Sequence, residues 1–260
     1  MCTDRRDFLR ASGLAAATLL GGRLALAHTD EADPVQQDAP DNIQRLRRMT
    51  AGIVPITDDE RRSRIAKAQR LMGQHKIDAI YIESGSSMFY FTGVRWGLSE
   101  RMFAVVIPQR GELAWVCPKF EEQRARELIK FGTDIRTWEE DESPYLRVAQ
   151  ILRDRGLRTG RIGVEENVRF FIVDGIRQVA PRVDFVSATP VTAGCRMFKS
   201  PAEIALMQKA NDLTIVAYRA TWASMRDGMA QGEFASNCSA AFRNLGVQGG
   251  IFVSFGKYTA

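Results

Sequence analysis

The 260-residue chain is 45% apolar and 26% charged, with a formal net charge of +5. That is the composition of a folded globular protein, and it excludes disordered, collagenous and low-complexity classes. The basic residues are interleaved with acids on expected helix faces and form no stripe with aromatics, so nucleic acid is not an expected partner.

Residues 1–27 read as an export address. Asp4-Arg5-Arg6-Asp7-Phe8-Leu9-Arg10 is a twin-arginine pattern, an apolar small-residue stretch follows from Ala11 to Leu26, and Ala25-Leu26-Ala27 is an A-x-A cleavage site. The apolar stretch is broken by Gly21, Gly22 and Arg23, which leaves it short of a membrane span. The expectation is an exported protein, periplasmic or secreted, with Arg5, Arg6, Ala25 and Ala27 read by the twin-arginine export machinery. Residues 28–56 are polar, contain Pro34, Pro40 and Pro55, and read as a flexible arm with a short helix near Ile43–Met49.

The first domain is expected over 57–193. Thr57 and Glu60 form a capping box ahead of a helix carrying Ile65, Ala68 and Met72 at helical spacing. Asp78–Glu83 reads as a buried strand, and Met88–Phe91 as a short apolar turn ending at Gly93. Phe103–Ile107 and Leu113–Val116 flank Pro108-Gln109-Arg110-Gly111, a hairpin signal. A helix over 119–130, a strand over 134–138, a helix over 145–155, a strand over 161–165, a helix over 170–179 and a strand over 183–186 follow. This alternation predicts an α/β fold, a mixed sheet flanked by helices.

A composition break falls at 189–194, and a second unit is expected over 194–260. Ser200 caps a helix, Pro201 takes its first position and Glu203 closes the box. Leu206, Ala210, Leu213, Ala217 and Ala220 predict a long helix; Phe234, Cys238, Ala241 and Leu245 predict another; Gly250–Phe255 reads as the start of a strand. Two helices and a strand cannot close a core, so the unit is expected to be the incomplete opening of a second domain.

The chemistry visible in the residues is sparse. Four cysteines make no CxxC pair, and only Cys117, Cys195 and Cys238 remain beyond the leader, so neither a disulfide framework nor a thiol–imidazole pair is expected. The two histidines, His28 and His75, lie in no metal-binding pattern, and no nucleophile elbow, dinucleotide or phosphate loop occurs. Glu139–Glu142 reads as a solvated acidic loop, with hard-cation binding as the alternative. The loop from Gly93 to Arg101 combines Trp96 with Arg95 and Arg101, a pairing suited to recognition, although Trp96 could equally pack on its own domain.

Several of these segments resemble a known family when taken in order. Asp78-Ala79-Ile80 with Phe89-Tyr90-Phe91-Thr92-Gly93, then Pro118-Lys119-Phe120-Glu121, then Arg196–Glu203 followed by Ile204, Met207, Lys209 and Ala210, and finally Gly228-Met229 are similar to the N-terminal domain and linker of the creatinase, Xaa-Pro dipeptidase and aminopeptidase P family. The resemblance covers about residues 57–260. It implies a creatinase-type N-terminal domain followed by an incomplete pita-bread domain. It also implies a parent protein that hydrolyses the bond before proline in short peptides, using hydroxide bridged by two divalent metals (Mn, Co or Zn). In that family two Asp, one His and two Glu hold the metals, all beyond the last strand begun here, so no catalytic or metal residue is carried over and this chain alone is expected to be inactive. A homodimer is implied, with Trp96 and Arg101 as substrate-binding residues that reach the partner subunit's site. Two other readings stay open: a metal-independent creatinase-like hydrolase or lyase acting on a small molecule, and a non-catalytic secreted binding or dimerisation module.

Overall fold

The computed structural model describes residues 39–256 and Thr259. The export signal with Arg5, Arg6, Ala25 and Ala27, His28 and the first part of the polar arm, up to residue 38, lie outside the described residues. From Asp41 onward the chain forms one unit.

Its elements, in order, are α1 (Asp41–Gln44), α2 (Asp58–His75), β1 (Ala79–Glu83), α3 (Ser86–Thr92), β2 (Ala104–Pro108), β3 (Ala114–Pro118), a 3₁₀ turn (Lys119–Glu121) leading into α4 (Glu122–Leu128), β4 (Asp134–Trp138), α5 (Pro144–Asp154), β5 (Arg161–Val164), α6 (Phe170–Val179), β6 (Asp184–Ser187), α7 (Thr189–Arg196), α8 (Pro201–Ala223) and α9 (Gln231–Leu245). The six strands form one sheet in the order β4-β3-β2-β1-β5-β6. β2 runs antiparallel to both β1 and β3; the pairs β3–β4, β1–β5 and β5–β6 are parallel. Five strands therefore end on the same edge, and β2 alone runs the other way.

Strand alternation builds two cores. Ile80 and Ile82 of β1, Val105 and Ile107 of β2, and Trp115 and Cys117 of β3 face a cluster completed by Ile65, Ala68 and Met72 of α2, Met88 and Phe91 of α3, and Val191 and Cys195 of α7. Ala79, Tyr81, Ala104, Val106, Ala114 and Val116 point to the opposite face, covered by Val148, Ile151 and Leu152 of α5 and Ile172 and Ile176 of α6. Because successive side chains on a strand point to opposite faces, runs buried on both sides read as continuous apolar stretches, and these do.

Three segments differ from the sequence expectation. The Met88–Phe91 turn is part of a helix, α3, closed by Gly93 in the left-handed region. The composition break at 189–194 is also helical: Pro190 sits in the first turn of α7, where a missing N–H costs nothing. Gly250–Phe255 forms no strand. Its residues have strand-like composition, but a strand exists only through a hydrogen-bonded neighbour, and none of the described strands pairs with it. Phe252 is 95% exposed there.

Helices α8 and α9 pack on each other through Leu213, Ala217 and Thr221 against Phe234, Cys238, Ala241 and Leu245. Tyr218 meets Phe242 edge-on at 6.1 Å. The segment from α1 onward clasps this pair: Asn42 Nδ2 donates to the Ala220 carbonyl at 2.6 Å, Asn244 Nδ2 to the Ile43 carbonyl at 2.9 Å, and the Met49 N–H to the Leu245 carbonyl at 3.0 Å. The short helix in this stretch forms at Asp41–Gln44, ahead of the position expected for it.

The turn that feeds β4 depends on one glycine. Gly132 has φ +79°, and a Cβ added there would lie 2.2 Å from the Leu113 carbonyl oxygen. Both the left-handed backbone and the contact penalise any side chain, so Gly132→Ala should cost at least about 2 kcal/mol of stability. Urea denaturation followed by circular dichroism checks it; an unchanged midpoint would contradict the close approach.

Candidate functional site

The carboxyl ends of β1, β5 and β6 open into a cleft of about 840 Å³ between the sheet edge and the start of α8. Ser86 and Ser87 follow β1, Glu165 to Asn167 follow β5, and Thr189 and Thr192 follow β6. β1 continues to β2 on one side, and β5 continues to β6 on the other. Adjacent strands whose continuations diverge leave a crevice beyond their carboxyl ends, the usual place for a ligand in open α/β sheets.

One wall of the cleft is anchored by Arg64 of α2, which is 7% exposed. Its Nη1 donates to the Tyr90 carbonyl at 2.9 Å, and its guanidinium lies 4.1 Å from the centre of the Tyr90 ring. Its Nη2 stands 3.2 Å from Glu203 Oε1 and its Nε 3.4 Å from Glu60 Oε1. Neither nitrogen is aligned for a hydrogen bond, so these contacts are ionic. Glu203 also closes the capping box expected from the sequence: its Oε2 accepts the Ser200 N–H at 2.9 Å, and Ser200 Oγ accepts the Glu203 N–H at 3.3 Å. One carboxylate thus ends the linker, starts α8 and holds it to α2. Two further donors converge on the Cys195 carbonyl of α7, Lys67 Nζ at 3.0 Å and Tyr90 Oη at 3.1 Å. Burial pushes the Tyr90 hydroxyl up to about 12, so it remains a donor at any ordinary pH.

On the floor of the cleft, Ser87 Oγ donates to Glu165 Oε1 at 2.5 Å, and Arg196 Nη1 approaches the same hydroxyl at 3.4 Å. Burial raises the Glu165 carboxyl above its ordinary value; the hydrogen bond from Ser87 and the charge of Arg196 only partly offset this. The folded protein therefore holds the Glu165 proton more tightly than the unfolded chain. This contribution to stability is complete below the ordinary carboxylate range and is lost as pH rises through the raised value. Glu165→Gln should match the parent in acid and unfold at higher urea concentration at neutral pH. Equal midpoints at both pH values would show that the burial of this carboxyl costs nothing.

The loop residues singled out from the sequence sit elsewhere. Trp96 stacks on Phe103, with ring centres 3.8 Å apart and planes at 5°, and Arg124 lies 4.4 Å from its ring centre. Arg101 is bound by Glu140 through Nε at 2.7 Å and by its neighbour Glu100, and its guanidinium rests 5.4 Å from the Phe120 ring centre. The Glu140 hydrogen bond raises the pKa of Arg101 further. Arg169 steadies this loop, donating from Nη1 to the Ser99 carbonyl at 2.5 Å and from Nη2 to the buried Glu83 at 2.7 Å. The cleft residues Glu165, Ser87 and Arg196 were not singled out as a site by the sequence. Their separations of 78 and 109 positions carry no motif, and only the topology brings them together.

The donors on hand do not suit a divalent metal centre. Among the described residues no group of three or more His, Cys, Asp or Glu side chains converges. Burial pushes the Cys117 thiol up to about 12 and Cys195 to about 11, so both are protonated in the protein as it stands. Glu140 and Glu142 of the acidic run are ion-paired to Arg101 and Arg147. No described helix is long and apolar enough to cross a membrane.

A mixed six-stranded sheet with β2 reversed, followed by a capped linker helix, defines an N-terminal α/β domain joined to a helical opening. The chain belongs to the Creatinase/Prolidase N-terminal domain family, whose model matches residues 64–198. An uncharacterized peptidase of Schizosaccharomyces pombe is 33% identical over 85% of this chain and 53% of its own length. A Xaa-Pro dipeptidase of Lactobacillus delbrueckii subsp. lactis is 23% identical over 64% of this chain and 45% of its own. Among solved structures, the prolidase of Thermococcus sibiricus has the same fold, with a TM-score of 0.63 at 21% identity over 70% of this chain and 49% of that one. The chain thus spans about half the length of the curated relatives it matches.

Proposed function

We propose that this chain is the recognition and dimerisation part of an exported peptidase that hydrolyses the bond preceding proline in short peptides. The observation that carries this is the 33% identity to a peptidase along most of the chain, joined to the family match over its sheet domain. In this reading the two divalent metals are held by residues other than those described, because the described side chains offer no converging donor set. The twin-arginine leader would deliver the folded protein across the membrane.

Trp96 and Arg101 then act on substrate bound by a partner subunit. The Trp96 ring is fixed between Phe103 and Arg124, so it can present only an edge of a rigid surface. Arg101 is part-exposed and already holds two carboxylates, so a peptide carboxylate would bind by exchanging with Glu140.

The test is an assay of proline release from Ala-Pro and Met-Pro with added manganese, cobalt or zinc, on the 260-residue chain and on any longer product of its gene. The expected result is no turnover by the 260-residue chain and metal-dependent turnover by the longer product. In that product Arg101→Met should raise KM by about tenfold, the loss of one charge-assisted contact worth about 1.4 kcal/mol, with kcat little changed. Turnover by the 260-residue chain itself would overturn the division of labour, and an inactive longer product would favour the binding-module reading.

A further inference from the structure

The cleft beyond β1, β5 and β6 holds two opposite charges that are not joined. Arg64 and Glu203, on its wall, are paired with each other. Glu165 instead accepts from the Ser87 hydroxyl, and Arg196 donates to that same hydroxyl. Ser87 bridges the two, so the carboxylate and the guanidinium lie within about 6 Å of each other without touching. A direct ion pair would be the simplest arrangement of such groups. The Ser87 hydroxyl stands between them, and all three residues line the open cleft.

The rim has the opposite character. Ile56, Phe89, Met197, Leu206 and Met207 border the same opening, and Met197 and Met207 are 66% and 49% exposed. A cleft with a charged, hydroxylated floor and an apolar rim fits a small molecule with a polar head and an apolar tail. The head must carry a cation for Glu165 and an anion for Arg196 at short separation. Ammonium and carboxylate groups borne on one carbon meet that condition.

We propose that this cleft is a binding site for a free α-amino acid with an apolar side chain, its ammonium on Glu165, its carboxylate on Arg196 and its side chain against Met197, Leu206 and Met207. Lys199 borders the same cleft and adds positive charge on the side where the ligand carboxylate sits. The ligand would bridge the sheet edge, through Ser87 and Glu165, to α7 and the start of α8. Occupancy therefore bears on how the linker helix is held. The site lies on residues that the peptidase reading does not use, so the two stand or fall separately.

The experiment is titration calorimetry of the 260-residue protein at neutral pH with L-leucine, N-acetyl-L-leucine and L-leucinamide. L-leucine should bind saturably with millimolar or tighter affinity. Blocking the amine or the carboxylate should each weaken binding at least about tenfold, as should Glu165→Gln and Arg196→Gln. Arg196 is exposed, so its replacement leaves folding intact, and Glu165→Gln should bind less while unfolding no more easily, a combination that a merely structural carboxylate would not give. Absence of saturable heat with L-leucine overturns the proposal, as do equal affinities for the blocked compounds or undiminished binding by the variants.

Discussion

Replacing Trp115 with alanine should lower the free energy of unfolding by about 4 kcal/mol, the range found for removing a large buried aromatic. Its side chain is fully buried in the middle of β3. Its ring lies 5.7 Å from Phe103, which in turn stacks on Trp96, and its Nε1 donates to the Phe131 carbonyl at 2.8 Å. The change therefore opens a cavity, strips a buried carbonyl of its donor and removes the floor under the loop from Gly93 to Arg101. Trp115→Phe separates these effects: it keeps most of the volume and loses the hydrogen bond, so it should cost about 1–3 kcal/mol. Urea unfolding of both variants, read by circular dichroism, gives the comparison. If the two variants unfold at the same midpoint, the cavity contributes nothing and the packing account is wrong.

Arg64→Met should cost about 3 kcal/mol, because it leaves partly buried carboxylates without a counter-charge. Glu203 keeps only 15% of its side-chain surface exposed and loses its cation, and the Tyr90 carbonyl loses its donor. The pairing can be isolated by a double-mutant cycle with Glu203→Gln. If Arg64 and Glu203 act on each other, the double variant should be more stable than the two single losses added together. Strict additivity would mean that Arg64 works only through Tyr90 and Glu60. The same cycle reports on the linker, since Glu203 also closes the cap of α8.

The sheet was legible because its strands are buried on both faces. Ala79–Glu83, Ala104–Pro108 and Ala114–Pro118 are buried at every position, so each appears as a run of apolar residues, broken only by Glu83 at the end of the first. The caps at Thr57 and Ser200 were legible for a different reason: a hydroxyl three residues before a glutamate is a local signal, and local signals survive without knowledge of the fold. In the structure Thr57 Oγ1 accepts the Glu60 N–H at 3.1 Å, while Glu60 turns toward Arg64. α3 was hidden because seven residues starting after Gly85 give too few turns for a periodicity, and α7 because Pro190 and Gly194 look like breakers until their positions in the first and last turns are known. The 250–255 segment misled in the other direction, since strand composition says nothing about whether a partner exists.

The site was less legible than the fold. Trp96 and Arg101 drew attention as a pair in one short loop, yet the structure gives them different neighbours, an aromatic stack for one and an acidic clamp for the other. The cleft groups are common residue types scattered over three connections. What makes them a site is that β1, β5 and β6 are parallel and adjacent, a property of topology rather than of spacing.

The reversal of β2 has a consequence for the order in which the molecule assembles during synthesis. β1, β2, β3 and β4 are neighbours in sequence as well as in the sheet, so four strands can join once Trp138 has emerged. β1 then has one side paired with β2, while its other side waits for β5, which begins at Arg161. Until β5 arrives, an inner strand behaves as an edge, presenting unpaired amides along a run that is wholly buried in the finished fold. Long-range parallel pairing is slow, and such transient edges are where chains stick to one another. The β1–β5 seam therefore closes only after the four strands before it have joined, and β6 can add only after that; folding yield should depend more on substitutions that delay β5 than on those in the hairpin that gives the domain its most visible sequence signature.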